Sequence, residues 1–109
     1  AREAHEWGVA RVVETVKGIV ADRPTYLTFD IDALDPAFAP GAGTPVWGGL
    51  ASWQVAAMLR DLAGINLVGG DLVEVSPPFD VGQMTTLAGV TILYEMLCVM
   101  AEARVKRSA

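Results

Sequence analysis

Cysteine and histidine are almost absent from this sequence, which contains one of each, Cys98 and His5. A single cysteine cannot form an internal disulfide, and a single histidine has no second imidazole with which to share a metal ion. Cys98 lies among apolar residues in a helical pattern, so we expect an inert thiol in the core. His5 precedes a predicted helix, and we expect it to be solvated or to contact the helix end.

Charged residues are also scarce. They make up 19% of the sequence, against roughly 25% in an average soluble domain. Because 52% of the residues are hydrophobic, we expect some faces to be covered by another segment or subunit. The net charge of −5 argues against nucleic acid or an anionic membrane surface as a partner, and it suits a small cationic ligand.

No apolar run in the sequence is long enough to cross a bilayer without interruption. The longest, residues 87–101, is interrupted by Thr91 and Glu95 and falls short of the roughly 20 residues required. Residues 1–20 mix charged and apolar side chains and do not form a signal peptide. We therefore expect a soluble cytoplasmic protein without a membrane partner, formed from one domain at most.

The most informative segment covers residues 26–36 and reads YLTFDIDALDP. Its β-branched and aromatic residues predict a buried strand, which delivers the following acids to a loop. Alternate side chains of a strand share a face, so Asp30 and Asp32 are expected to point the same way. Two such carboxylates repel each other unless a cation lies between them, which makes them candidates for half of a metal site. The alternative is that both acids cap the loop.

The remaining pattern predicts three helices and a second strand. The helices cover residues 9–20, 52–64 and about 84–104, and the strand covers residues 65–75. In the loop at residues 35–49, seven of fifteen residues are proline or glycine. We expect this ordered loop to form the wall of a site, the alternative being a plain linker. The last helix is apolar nearly all round, so we expect it to be buried on more than one side.

The order of the elements places three acids at one edge of the sheet. Strands that alternate with helices favour a parallel sheet with right-handed crossovers, and ligands bind such sheets beyond the carboxyl ends of the strands. Asp30 and Asp32 follow the first strand, and Glu74 ends the second. The alternative for Glu74 is a solvated strand end.

Two segments resemble the ureohydrolases, the arginase and agmatinase family, and the likeness is closest to the agmatinases. Residues 29–45, FDIDALDPAFAPGAGTP, are similar to the family's signature, and residues 66–80, NLVGGDLVEVSPPFD, to its last conserved block. The resemblance implies a three-layer α/β/α sandwich with a parallel sheet. Residues 1–109 would be the C-terminal portion of one ureohydrolase domain, and the intact enzyme would be a homo-oligomer.

The resemblance also implies a chemistry. Enzymes of this family use two manganese ions per site to activate water, which attacks a guanidinium carbon and releases urea and an amine. By resemblance Asp30 bridges both ions, Asp32 binds one of them, and Glu74 holds the substrate guanidinium. The family's catalytic histidine and its other metal ligands have no counterpart in this chain. We therefore expect the chain alone to be inactive.

Two positions depart from the family pattern: Ala42 and Ala51 each stand where threonine is usual. The departures affect hydrogen bonds in the loop more than metal binding. The favoured reaction is the hydrolysis of agmatine to putrescine and urea. The alternatives are guanidinobutyrase, proclavaminate amidinohydrolase or another amidinohydrolase activity, and a non-catalytic segment whose acids no longer complete a site.

Overall fold

The computed structural model describes residues 1–108, which form a layer of helices on one face of a parallel sheet. In chain order the elements are α1 (Arg2–Trp7), α2 (Val9–Val20), β1 (Thr25–Asp30), α3 (Ser52–Asp61), β2 (Leu67–Val73) and α4 (Met84–Ser108). Short 3₁₀ turns, Ile31–Ala33 and Pro77–Phe79, follow the two strands. The structure therefore contains every predicted helix and strand, α2 with the predicted bounds and the others with shifted ends, and adds the short helix α1.

The strands β1 and β2 are hydrogen-bonded neighbours and run parallel, as the alternation of elements predicts. Their register pairs Asp30 with Val73, so the two strands end side by side. A Cβ atom on Gly70 would lie 2.9 Å from the Leu27 carbonyl oxygen and 3.1 Å from Met96 Sδ. Glycine at this position allows the strands and α4 to approach each other closely.

The core lies between the sheet and the helices. Its main cluster includes buried residues from the turn that follows β1, from α3 and from α4, namely Ile31, Leu34, Val55, Leu59, Ile92 and Met96. A second cluster joins Val13 of α2 to Leu67 and Val99. Burying a large apolar side chain stabilises a fold by about 1.5–3 kcal/mol. These contacts therefore fix the helices relative to the strand ends.

The opposite face of the sheet is not covered by any part of residues 1–108. Tyr26, Thr28 and Asp30 alternate with more buried residues along β1 and are exposed. Tyr26 and Thr28 both donate hydrogen bonds to the Asp71 carboxylate, of 2.9 and 2.5 Å. The described residues therefore supply two layers of the predicted three-layer sandwich.

The helix α4 is buried on one side only, which corrects the prediction of burial on several sides. Its inner stripe contacts the sheet and α3, while Leu87, Val90, Tyr94 and Leu97 are 61–64% exposed. Cys98 is exposed as well, so the prediction of a core thiol is wrong for the described residues. Only the inner stripe has a neighbouring element to contact, because the helix lies at the margin of the unit.

By length and composition alone, α4 is the one helix within residues 1–108 that could cross a membrane. Core helices of soluble proteins often have the same length and composition, so a single helix of this kind is weak support for a membrane span.

Candidate functional site

Asp30 and Asp32 lie at the carboxyl end of β1, but not on one continuous strand as predicted. The strand ends at Asp30, and Asp32 belongs to the 3₁₀ turn that follows. Asp30 Oδ1 accepts a hydrogen bond of 2.8 Å from the Asp32 backbone N–H. The turn also buries Ile31 completely, and this burial favours the turn over a longer strand. Asp30 thus caps the turn, as the alternative interpretation proposed.

One carboxylate oxygen of Asp32 has no hydrogen-bond partner among the residues that the structure describes. Its Oδ2 accepts a hydrogen bond of 2.6 Å from the Thr44 hydroxyl, whereas Oδ1 is buried and has no hydrogen-bond partner in the described part of the chain. A buried carboxylate oxygen is costly unless a donor or a cation satisfies it. Carboxylate oxygens are suitable ligands for Mn²⁺. Asp32, with Asp30 two residues before it in the sequence, therefore fits a hard divalent cation.

Two carboxylates do not complete a metal site. No three histidine, cysteine, aspartate or glutamate side chains within residues 1–108 are grouped closely enough to hold a metal ion. Any ion held by Asp30 and Asp32 therefore needs further ligands from other residues.

Glu74 follows β2 directly and has a backbone φ of 72°. This left-handed conformation costs a residue other than glycine about 1–2 kcal/mol, so the surrounding contacts must hold it. Val75, the next residue, pairs with Ala42 in an isolated antiparallel bridge. A Cβ atom on Gly43 would lie 4.0 Å from Glu74 Oε2. The exposed carboxylate of Glu74 therefore lies beside the loop.

We call residues 41–44 the bridging segment, because they connect the ends of both strands. Ala42 pairs with Val75, Gly43 lies beside Glu74, and Thr44 donates to Asp32. The loop at residues 35–49 therefore contacts both candidate site acids that follow the strands.

Asp35, the second acid after β1, closes the loop. Its Oδ1 accepts a hydrogen bond from the Ala37 N–H and its Oδ2 one from the Gly48 N–H, both of 2.9 Å. These bonds, led by the one from Ala37, lower the pKa of Asp35 below its ordinary value. A carboxylate that is ionised and paired in this way holds the two ends of the loop together.

Gly49 packs against this closure so tightly that we expect Gly49→Ala to be destabilising. A Cβ atom there would lie 2.6 Å from the Asp35 backbone nitrogen and 2.8 Å from the Leu34 carbonyl carbon. Backbone atoms cannot rotate away, so the free energy of unfolding should fall by about 1–3 kcal/mol. Urea denaturation of the protein expressed from its complete gene measures the change.

Gly18→Ala in α2 is the matched control for this substitution. Its Cβ atom would meet nothing within 4 Å, and alanine in a helix interior is favoured over glycine by about 0.5–1 kcal/mol. Gly18→Ala should therefore be neutral or stabilising. An equal loss of stability in both variants would contradict the packing described at Gly49.

Sequence reasoning missed three polar residues near the site, namely Thr44, Asp80 and Thr85. Asp80 carried a local signal, because it lies four residues before α4 and a negative charge is favoured near the start of a helix. Thr44 is twelve residues from Asp32 and Thr85 is 44 residues from its partner Gly41. No local pattern indicates contacts at such separations.

The geometry defines an α/β protein with an acidic site at the carboxyl end of parallel strands, and comparison identifies its family. The chain belongs to the arginase family, whose model matches residues 1–98. The agmatinase of Proteus mirabilis is 54% identical over 101 residues, which are 93% of this chain and 33% of the relative. The guanidinopropionase of Pseudomonas aeruginosa is 52% identical over 98 residues, which are 90% of this chain and 31% of the relative.

A solved structure of the family has the same fold. The proclavaminate amidino hydrolase from Streptomyces clavuligerus superposes with a TM-score of 0.92 at 44% identity, over 94% of this chain and 34% of that one. The predicted family and fold class are therefore confirmed. The chain spans about a third of the length of the curated relatives that it matches.

Proposed function

We propose that this chain is the C-terminal portion of a manganese-dependent ureohydrolase that hydrolyses a linear guanidino compound, with agmatine as the first candidate. The observation that carries the proposal is the buried Oδ1 of Asp32, which has no hydrogen-bond partner within residues 1–108, two residues after Asp30 at the carboxyl end of a parallel strand. The relatives named agmatinase and guanidinopropionase support this class of reaction. A cytoplasmic location and a homo-oligomeric state are part of the proposal.

Asp30 and Asp32 are the residues that would hold manganese. When bound, manganese lowers the pKa of coordinated water towards neutrality and so provides a nucleophile at neutral pH. Thr44 holds Oδ2 of Asp32 by a hydrogen bond, which fixes the carboxylate and leaves Oδ1 for a ligand. Such outer contacts orient metal ligands and tune their affinity.

Glu74 is the residue that would bind the guanidinium of the substrate. A planar guanidinium offers paired N–H donors, and a carboxylate accepts them in a charge-assisted fork. The bond would orient the guanidinium carbon towards the metal ligands Asp30 and Asp32, because β1 and β2 end side by side. The net charge of −5 also favours the approach of a cation.

Guanidinopropionate is the second candidate substrate, because the relative named guanidinopropionase is nearly as similar as the agmatinase, at 52% against 54% identity. Agmatine ends in an ammonium group and guanidinopropionate in a carboxylate. The two differ only in the part of the substrate that Glu74 does not bind. A non-catalytic role of the chain remains the alternative from another class of function.

Urea release tests the proposal. The protein expressed from its complete gene and loaded with Mn²⁺ should release urea from agmatine or from guanidinopropionate, measured by colorimetric assay. A chelator should abolish the release, and added Mn²⁺ should restore it.

Residues 1–109 expressed alone with Mn²⁺ should release no urea, because the site needs ligands beyond Asp30 and Asp32. Urea release by this segment would contradict the proposal that the other metal ligands lie outside residues 1–109. A complete protein that binds manganese and cleaves no guanidino compound would contradict the proposed activity.

A further inference from the structure

A polar cluster ties the start of α4 to the loop at residues 35–49. Asp80 Oδ1 accepts hydrogen bonds of 2.9 Å from the backbone N–H groups of Val81 and Thr85. Asp80 Oδ2 accepts bonds of 3.1 Å from both the N–H and the hydroxyl of Thr86. The first N–H groups of a helix have no partner within the helix, so a single carboxylate fixes this first turn.

Thr85 connects the cluster to the loop. Its side chain is completely buried, and its hydroxyl oxygen accepts a hydrogen bond of 2.7 Å from the Gly41 N–H. Partial removal from water raises the pKa of Asp80, but hydrogen bonds from the N–H and hydroxyl of Thr85, and from Thr86 and Val81, lower it to about 2. Asp80 is therefore a carboxylate at neutral pH and can accept every one of these bonds.

Gly41 is fixed by hydrogen bonds to its N–H and its carbonyl group and by close packing at its Cα atom. A Cβ atom there would lie 2.9 Å from both Asp80 Cβ and Thr85 Oγ1, so the contact admits no side chain. The Gly41 carbonyl accepts a hydrogen bond of 2.7 Å from the Ser76 N–H. The bridging segment begins at this residue and reaches Asp32 through Thr44. Gly41 is therefore the fixed end of the segment that contacts both site acids.

We propose that Asp80 and Thr85 are positioning residues for the site: they fix Gly41, and through the bridging segment they orient the Asp32 carboxylate and hold the loop beside Glu74. This inference rests on the function proposed above. The physical reason is that a loop rich in glycine and proline keeps the Thr44 hydroxyl in place only where its backbone is fixed. A displacement of about 1 Å at a reacting centre can cost about 100-fold in rate.

Thr85→Val in the protein expressed from its complete gene is the direct test. Valine has nearly the shape of threonine but leaves the buried Gly41 N–H without an acceptor. We expect faster amide hydrogen exchange in residues 41–44, a higher Mn²⁺ concentration for half-saturation, and a fall in kcat/KM of about 10- to 100-fold. Thr85→Ser keeps the hydroxyl, so amide exchange, the Mn²⁺ concentration for half-saturation and kcat/KM should all stay near their wild-type values. Asp80→Asn should act in the same direction as Thr85→Val, because an amide nitrogen cannot accept a bond from an N–H.

Two control variants separate positioning from stability. Thr91→Val makes the same substitution on an exposed part of α4, where the hydroxyl donates to the Leu87 carbonyl within the helix. All three measurements should stay at wild-type values. Val99→Ala creates a cavity in the second core cluster and should lower Tm without changing exchange in residues 41–44 or kcat/KM.

The outcomes distinguish this inference from the proposed function. Unchanged exchange in residues 41–44 of Thr85→Val would overturn the inference, whatever the activity. An equal loss of kcat/KM in Val99→Ala at a similar Tm would reduce Thr85 to a stabilising residue and overturn it as well. If the wild-type protein releases no urea, the proposed function fails, and the exchange and Mn²⁺ measurements still decide the positioning role.

Discussion

Asp30→Asn in the protein expressed from its complete gene should remove urea release and bound manganese together. The substitution would replace the charged carboxylate of a proposed metal ligand with a neutral amide, which binds hard cations poorly. The amide oxygen can still accept the hydrogen bond from the Asp32 N–H, which is 2.8 Å in the wild type. The turn after β1 should therefore persist. We expect kcat/KM to fall by at least about 1000-fold, which corresponds to about 4 kcal/mol.

Three measurements test the role of Asp30. Elemental analysis gives manganese per subunit, and the urea assay gives kcat/KM. Thermal unfolding with a chelator present compares the Tm of the variant with that of the wild type when neither binds metal. Asp61→Asn, on the exposed end of α3, is the matched control and should keep activity and metal content. Full activity with full manganese content in Asp30→Asn would remove Asp30 from the metal site. Asp32→Asn should behave like Asp30→Asn, because it removes the charge of the carboxylate whose buried Oδ1 has no hydrogen-bond partner within residues 1–108.

Glu74→Gln should reduce kcat/KM by about 100-fold or more, equivalent to about 3 kcal/mol. Glutamine keeps the shape of the side chain, but it replaces one of the two charged acceptors that a guanidinium fork requires. Losing the fork should impair the orientation of the guanidinium carbon as well as affinity. Bound manganese should stay nearly unchanged, which distinguishes this variant from Asp30→Asn.

Kinetics with two substrates, agmatine and guanidinopropionate, further test the role of Glu74. Glu74 would bind the guanidinium that agmatine and guanidinopropionate share, so Glu74→Gln should lower kcat/KM for both by a similar factor. Glu102→Gln, on an exposed part of α4, makes the same substitution at a distance and should have wild-type kinetics. Activity near wild type in Glu74→Gln would exclude Glu74 from the site. A loss of manganese would make it a metal ligand instead.

Much of the fold could be predicted because its signals are local. Apolar residues at helical spacing predicted α2 over residues 9–20, which are its bounds in the structure. The alternation of helices and strands predicted the parallel pairing of β1 with β2. The same order placed Asp30 and Glu74 at one edge of the sheet, and the register of Asp30 with Val73 agrees with that placement. Each of these inferences needs only neighbouring residues and the general rules of sheet topology.

The tertiary structure decided how the candidate site is held. The core takes up Ile31 in a turn, so Asp30 caps that turn and Asp32 does not share its strand. Burial likewise depends on which elements are adjacent, and this is why Cys98 is exposed. The hydrogen bonds of Thr44 to Asp32 and of Gly41 to Thr85 join residues 12 and 44 positions apart. Such contacts form only when separate elements pack together, because no local preference of the chain encodes them.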